Sequence, residues 1–147
     1  MLAQRCVVDS PVPLRWVWPA LVDVDNLATW SGVDRCDGDE TGALHPSSEL
    51  SCTMAIGEQS VGATLSVVES VAPSLLKLRT EAGIATVFET IELRRSAGGT
   101  RLSYAVDVQS PLLRRSLEPW INDHVGLVHD GLQDFLGGSG ECWSGLT

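Results

Sequence analysis

The sequence has few basic residues and no long apolar run. It carries 10 lysine and arginine residues against 19 aspartate and glutamate residues, for a formal net charge of −9 over 147 residues. That charge repels nucleic-acid phosphates and anionic membranes, so we expect no nucleic acid among its partners. No apolar run approaches the roughly 18 residues that cross a bilayer, and we therefore expect no membrane insertion.

Motifs for metals, nucleotides and export are also missing. The cysteines, Cys6, Cys36, Cys52 and Cys142, are widely separated and form no CxxC pair, so we expect reduced thiols and no metal site. No glycine-rich phosphate loop is present, and we expect no cofactor. The N-terminal stretch MLAQRCVVDS lacks the basic start and apolar core of a secretory signal, which predicts a cytoplasmic location.

The composition that remains is that of a folded domain. A hydrophobic content of 44% over 147 residues fits one domain with one core. We place that domain at residues 1–137. Residues 138–147, GSGECWSGLT, are mostly small and polar and predict a flexible C-terminal tail. Monomer and homodimer both remain open.

The N-terminal third predicts short elements. A strand over residues 4–9 is ended by Ser10-Pro11, and the apolar residues after Pro13 indicate a helix near 14–22. A second short helical segment follows at about 25–32. Residues 33–37 suggest an edge strand, and the polar residues 38–48 indicate a loop.

From Glu49 to Gln109 apolar residues alternate with polar ones, which is typical of half-buried strands. Turns placed at 58–59, 72–73, 82–83 and 97–98 make every pairing agree on one inner face. This agreement predicts a continuous antiparallel meander. The inner face then consists of Leu50, Cys52, Met54, Ile56, Val61, Ala63, Leu65, Val67, Leu76, Leu78, Thr80, Ala85, Val87, Glu89, Ile91, Leu93, Leu102, Tyr104, Val106 and Val108.

The segment from Ser110 to Leu136 predicts a long amphipathic helix, and His124 lies near the centre of its apolar stripe. An imidazole among apolar neighbours needs a partner, and its charge can change near neutral pH. Two interpretations stay open here. His124 is either a general acid or base in a cavity, or a core histidine bonded to a backbone carbonyl.

The order of these elements resembles the START-like helix-grip (SRPBCC) superfamily, which includes polyketide cyclases and dehydratases. The residues that carry the resemblance are 7–11 leading into 14–18, then 21–23 with Trp30 behind them, the start of the last strand at 98–102, and the closing helix. The resemblance covers about residues 4–137. It implies an α+β fold in which a curved antiparallel sheet of about seven strands wraps around a long C-terminal helix. The sheet and the helix would enclose an apolar cavity for a hydrophobic small molecule.

Polar side chains on the predicted inner face are few: Cys52, Thr80, Glu89 and Tyr104. Pairing about residues 97–98 makes Glu89 and Tyr104 diagonal neighbours on adjacent strands. With His124 above them, they would form an acid/base cluster. In this interpretation Glu89 orients His124, and Tyr104 donates a hydrogen bond to a developing oxyanion.

The remaining candidates would line the cavity. Trp30 and Trp120 offer flat walls for an aromatic ligand, and Gly131 either leaves room for a ligand or permits close helix packing. The full predicted substrate-binding set is Trp30, Cys52, Met54, Leu78, Thr80, Val106, Trp120, Val128 and Gly131.

Two functions follow from this arrangement. The leading hypothesis is a cofactor-independent cyclase or dehydratase that acts on a hydrophobic, polyketide-like intermediate in secondary metabolism. The alternative is a non-catalytic binding or carrier protein of the same fold, in which the same groups only bind a lipid or an aromatic compound. The fold does not choose between them.

Overall fold

The chain forms one antiparallel sheet that packs against a long C-terminal helix, which is the α+β helix-grip arrangement. The computed structural model describes residues 2–37, 42–56, 58–83, 85–110 and 114–145, apart from the side chains of 2, 3, 37, 56, 114–118 and 141–145. The strands are β1 (Leu2–Ser10), β2 (Arg35–Asp37), β3 (Glu49–Ile56), β4 (Gln59–Val71), β5 (Leu75–Ala82), β6 (Ala85–Ser96), β7 (Gly99–Gln109) and β8 (Ser139–Gly145). The helices are α1 (Leu14–Val22), α2 (Leu27–Trp30) and α3 (Arg114–Leu136), with a 3₁₀ turn at Val24–Asn26.

The sheet has the strand order β2-β3-β4-β5-β6-β7-β1-β8. The meander from β3 to β7 follows the sequence, and β1 then pairs with β7 at the far side. The described residues of the predicted inner face are buried, apart from the half-buried Val61. Because side chains alternate along a strand, one face of the sheet is apolar and needs a cover.

The register of two hairpins differs from the predicted one by two residues. Met54 pairs with Val61 in the β3–β4 hairpin, and Thr80 pairs with Val87 between β5 and β6. The predicted turns at 58–59 and 82–83 are therefore wrong by one position each. A shift of two residues leaves every side chain on its own face, so the alternating pattern could not detect it.

The predicted tail contains a strand. Residues 139–145 form β8, which pairs with β1 and raises the number of strands from about seven to eight. A glycine-rich segment has no alternating pattern by which to recognise it, and main-chain pairing with the open edge of β1 orders it instead. Cys6 lies opposite Cys142 in this pairing, and Cys6 is disulfide-bonded. The expectation of reduced thiols is therefore wrong for Cys6.

The long helix α3 covers the apolar face and crosses β1. Its described start is Arg114 rather than Ser110, and residues 111–113 lie outside the described part. The hydroxyl of Ser10 donates to the Leu136 carbonyl at 2.7 Å and so caps the end of α3. Gly137, with φ +62°, then turns the chain towards β8. Among the described helices, none is both long enough and apolar enough to cross a membrane.

The β6–β7 turn, predicted at 97–98, is confirmed, and it depends on Gly99. Gly99 has φ +149°, and a Cβ at this position would lie 2.2 Å from the Ser10 carbonyl oxygen. A Cβ at the neighbouring Gly98 would meet nothing within 4 Å.

We expect Gly99→Ala to lower the free energy of unfolding by at least about 2 kcal/mol, and Gly98→Ala by less than about 0.5 kcal/mol. Urea unfolding of both variants checks this, and equal losses would contradict the contact.

Candidate functional site

A buried carboxylate and a buried phenol meet on the inner face of the sheet. Glu89 lies opposite Val106 on β7, and Tyr104 lies opposite Ile91 on β6, so the two side chains are diagonal neighbours. The Tyr104 hydroxyl donates a hydrogen bond to Glu89 Oε2. Glu89 is 3% exposed and Tyr104 is fully buried. The contact predicted from the sequence is present.

The proton of Tyr104 is committed to Glu89. Burial, together with the charge of Glu89 and the hydrogen bond to it, raises the pKa of Tyr104 well above its usual value. Tyr104 therefore stays protonated at neutral pH and acts as a donor. Since its one proton points to Glu89, the predicted donation to a substrate oxyanion is not what this structure contains.

His124 projects from α3 towards this pair. It is 4% exposed, and its Nε2 lies 3.8 Å from Glu89 Oε2. That distance allows an ion pair when the imidazole is protonated but is too long for a hydrogen bond. Nε2 has no hydrogen-bond partner among the residues that the structure describes. The carbonyl bond that a core histidine would make is therefore absent at this nitrogen.

Two residues hold the imidazole in place. Trp120, one turn before His124, stacks on it with ring centroids 5.3 Å apart, and the Trp120 indole N–H donates to the Ala55 carbonyl at 2.9 Å. On another side, a Cβ at Gly32 would lie 2.8 Å from His124 Cε1. Trp120 was predicted as a wall for a ligand, and in the structure it packs on His124.

Gly32 was not predicted as part of the site. In the sequence it marks only the end of a short helix, because its contact with His124 spans 92 positions of the chain (124 minus 32). Long-range contacts of a residue without a side chain leave no local pattern. An unusual backbone angle, φ +79°, is the property that requires glycine there.

Most of the predicted lining residues are in the interior. The buried ones are Trp30, Cys52, Met54, Leu78, Thr80, Val106, Trp120 and Val128. Gly131 differs, because a Cβ there would lie 3.0 Å from the Thr29 carbonyl oxygen and 3.1 Å from Trp30 Cα. The space beside Gly131 is filled by the backbone of α2, so close helix packing describes it better than room for a ligand.

Within the ranges that the structure describes, no group of three or more histidine, cysteine, aspartate or glutamate side chains is placed so that it could hold a metal ion. A pocket of about 280 Å³ is lined by Leu78 and Glu89 and, on the outer side of the sheet, by residues that include Lys77, Phe88 and Asp107. The outer-face side chains point away from His124, because side chains alternate between the two faces of a strand. The pocket contains no imidazole, and we do not assign the chemistry to it.

Comparison with known proteins supplies the family. A family model described as "Polyketide cyclase / dehydrase and lipid transport" matches residues 5–137. No curated protein matches the sequence.

Solved structures show the same fold at low identity. A Rhodobacter sphaeroides protein is 18% identical with a TM-score of 0.67, over 92% of this chain and 93% of that one. A Nitrosomonas europaea protein is 20% identical with a TM-score of 0.67, over 92% and 94% of the two chains. DynU16, from the dynemicin biosynthetic locus, is 18% identical with a TM-score of 0.66, over 92% of this chain and 47% of its own.

The single tyrosine of the chain allows a direct test of the Tyr104–Glu89 contact. Because burial and Glu89 raise the pKa of Tyr104, the ultraviolet absorbance of tyrosinate should appear only when the protein unfolds in alkali. Above pH about 10 only the unfolded chain loses this proton, so the free energy of unfolding should fall by about 1.4 kcal/mol per pH unit. In Glu89→Gln, tyrosinate should form at lower pH than in the wild type. Reversible titration of the folded wild type near pH 10 would contradict the contact.

Gly32 and Gly42 form a matched pair for testing the contact with His124. Both have positive φ, 79° and 83°, but a Cβ at Gly42 would meet nothing within 4 Å. We expect Gly42→Ala to lower the free energy of unfolding by about 1 kcal/mol through backbone strain alone. Gly32→Ala should lose about 1 to 3 kcal/mol more through overpacking, and should also shift the imidazole NMR signals of His124. Equal losses with unchanged imidazole signals would show that Gly32 does not position His124.

Proposed function

Because the chain belongs to the polyketide cyclase/dehydrase and lipid transport family, we propose that it is a cyclase or dehydratase. Its substrate in this proposal is a hydrophobic, polyketide-like intermediate held between the sheet and α3. The observation that carries the proposal is the unpartnered Nε2 of His124 beside the buried Glu89–Tyr104 pair. Buried, unpaired titratable groups next to a charge partner are typical of reactive sites.

His124 is the acid and base in this mechanism. Its neutral Nε2 takes a proton from the carbon next to a ketone, and the resulting enolate forms a carbon–carbon bond with a second carbonyl carbon. The imidazolium then returns the proton to the alkoxide oxygen. Loss of water follows when the same nitrogen removes a further proton from carbon and then gives it to the hydroxyl, so that the C–O bond breaks, water leaves and a C=C bond forms. Carbon is neither oxidised nor reduced overall, so the balance requires no electron acceptor.

Glu89 and Tyr104 support His124 in this proposal. Once Nε2 is protonated, Glu89 at 3.8 Å supplies the opposite charge in an environment that contains little water. Tyr104 donates to the same carboxylate oxygen and holds it in place. We therefore assign Glu89 to stabilising the imidazolium and Tyr104 to positioning Glu89. The buried apolar residues Met54, Leu78, Val106 and Val128 would exclude water from the reacting atoms.

The setting of the reaction is part of the proposal. DynU16 lies in a biosynthetic locus, and we extend that setting, secondary metabolism, to this chain. We keep the cytoplasm as the location and a monomer or homodimer as the assembly. The disulfide bond of Cys6 argues against a cytoplasmic location, because such bonds persist mainly in oxidising compartments. Free-thiol counting on protein from intact cells tests this point.

Turnover of a synthetic poly-β-ketone thioester tests the function, with product release followed by mass spectrometry. His124→Asn should lower kcat at least about 100-fold, since it removes the acid and base. Glu89→Gln should lower it about 10-fold or more. His129→Asn is the matched control, because it changes a half-buried histidine of the same helix, and it should retain turnover. Binding and release of the thioester unchanged by the wild type would favour the carrier alternative.

A further inference from the structure

The indole nitrogen of Trp30 is a buried hydrogen-bond donor without an acceptor. Trp30 is fully buried, and its Nε1 has no hydrogen-bond partner within the described residues. An indole N–H can only donate, and the large majority of buried polar atoms in folded proteins are paired. The Trp30 indole N–H can therefore donate to an acceptor from outside the chain.

Trp120 shows that the chain can satisfy such a donor. The Trp120 indole N–H donates to the Ala55 carbonyl at 2.9 Å. Both tryptophans are in the interior, and only one has its donor paired by the protein. The unpaired indole donor therefore distinguishes Trp30 from Trp120.

Trp30 belongs to the same neighbourhood as His124. It ends α2, and Gly32, two positions later, lies against the His124 ring. Trp30 Cα also lies beside Gly131 of α3. His124 Nε2 also has no hydrogen-bond partner, and His129 Nε2, further along α3, is the third buried nitrogen of this kind among the described residues. Two elements in direct contact thus each contribute an unpaired nitrogen.

We propose that the Trp30 indole N–H donates a hydrogen bond to a neutral oxygen atom, a ketone or phenol oxygen, of the ligand on which His124 acts. This inference rests on the proposed function in placing that ligand in the same site. A hydrocarbon would leave the donor unpaired. A fatty-acid carboxylate acted on at this site would compete with Glu89 for the imidazolium of His124, so one of two buried negative charges would lack a cation. The geometry therefore favours an oxygenated, uncharged compound over a hydrocarbon or an anionic lipid.

The test uses two ligands that differ in one carbonyl, fluorenone and fluorene, on ¹⁵N-labelled protein. The five tryptophans give five indole N–H signals, and Trp30→Phe and Trp120→Phe assign two of them. Fluorenone should move the Trp30 signal downfield and leave the Trp120 signal in place. It should also bind at least about 5-fold more tightly than fluorene, the ratio that one hydrogen bond provides. Trp30→Phe should remove that preference.

Several outcomes would overturn the inference. These are equal affinities with an unmoved Trp30 signal, failure of either compound to bind, and palmitate binding more tightly than fluorenone with the same Trp30 shift. Strong magnetisation transfer from water to the Trp30 indole proton in the saturated complex would also do so, because water would then be the acceptor. The wild-type comparison stands even if Trp30→Phe does not fold, since Trp120→Phe and sequential assignment still identify the signals.

The result is separable from that for the proposed function. A Trp30 shift with fluorenone in a protein that turns over no poly-β-ketone thioester would contradict the catalytic role but support the hydrogen bond from Trp30 to a ligand oxygen. Turnover without any shift of Trp30 would do the reverse.

Discussion

The carboxylate of Glu89 lies in the apolar interior, and its burial constrains the residues around it. A buried carboxyl group is unfavourable unless other groups pair with it. Tyr104 provides a hydrogen bond from the adjacent strand, and His124 provides an ionisable partner from α3. The sheet and the helix must therefore meet in one register and at one rotation for this cluster to form. Trp120, fixed to the Ala55 carbonyl, and Gly32, which leaves space for the imidazole, maintain that arrangement.

Much of this cluster could be predicted from the sequence. The alternation of apolar and polar residues assigns Glu89 and Tyr104 to the inner face, and the turn at 97–98 makes them neighbours. The helical stripe does the same for His124. In each case the information is local, because side-chain direction follows from the period of the element.

Other features could not be predicted because their causes are not local. The two-residue register shifts leave every side chain on the same face of the sheet, so the alternation of apolar and polar residues cannot reveal them. The strand β8 depends on the open edge of β1 and on no pattern of its own. Trp120 and Gly32 act through contacts with distant parts of the chain. Gly131 was ambiguous for the same reason, since only the position of α2 shows that its empty side is filled.

In the proposed function a ligand lies between the sheet and α3, next to the buried cluster of Glu89, Tyr104 and His124. The central claim is that the protein transforms its ligand. Native mass spectrometry of any co-purified small molecule, compared between wild type and His124→Asn, tests this claim most directly. We predict that the variant retains a compound that is heavier by one water than the one in the wild type, because the wild type cyclises and dehydrates it. The same unaltered compound in both proteins would contradict catalysis by His124.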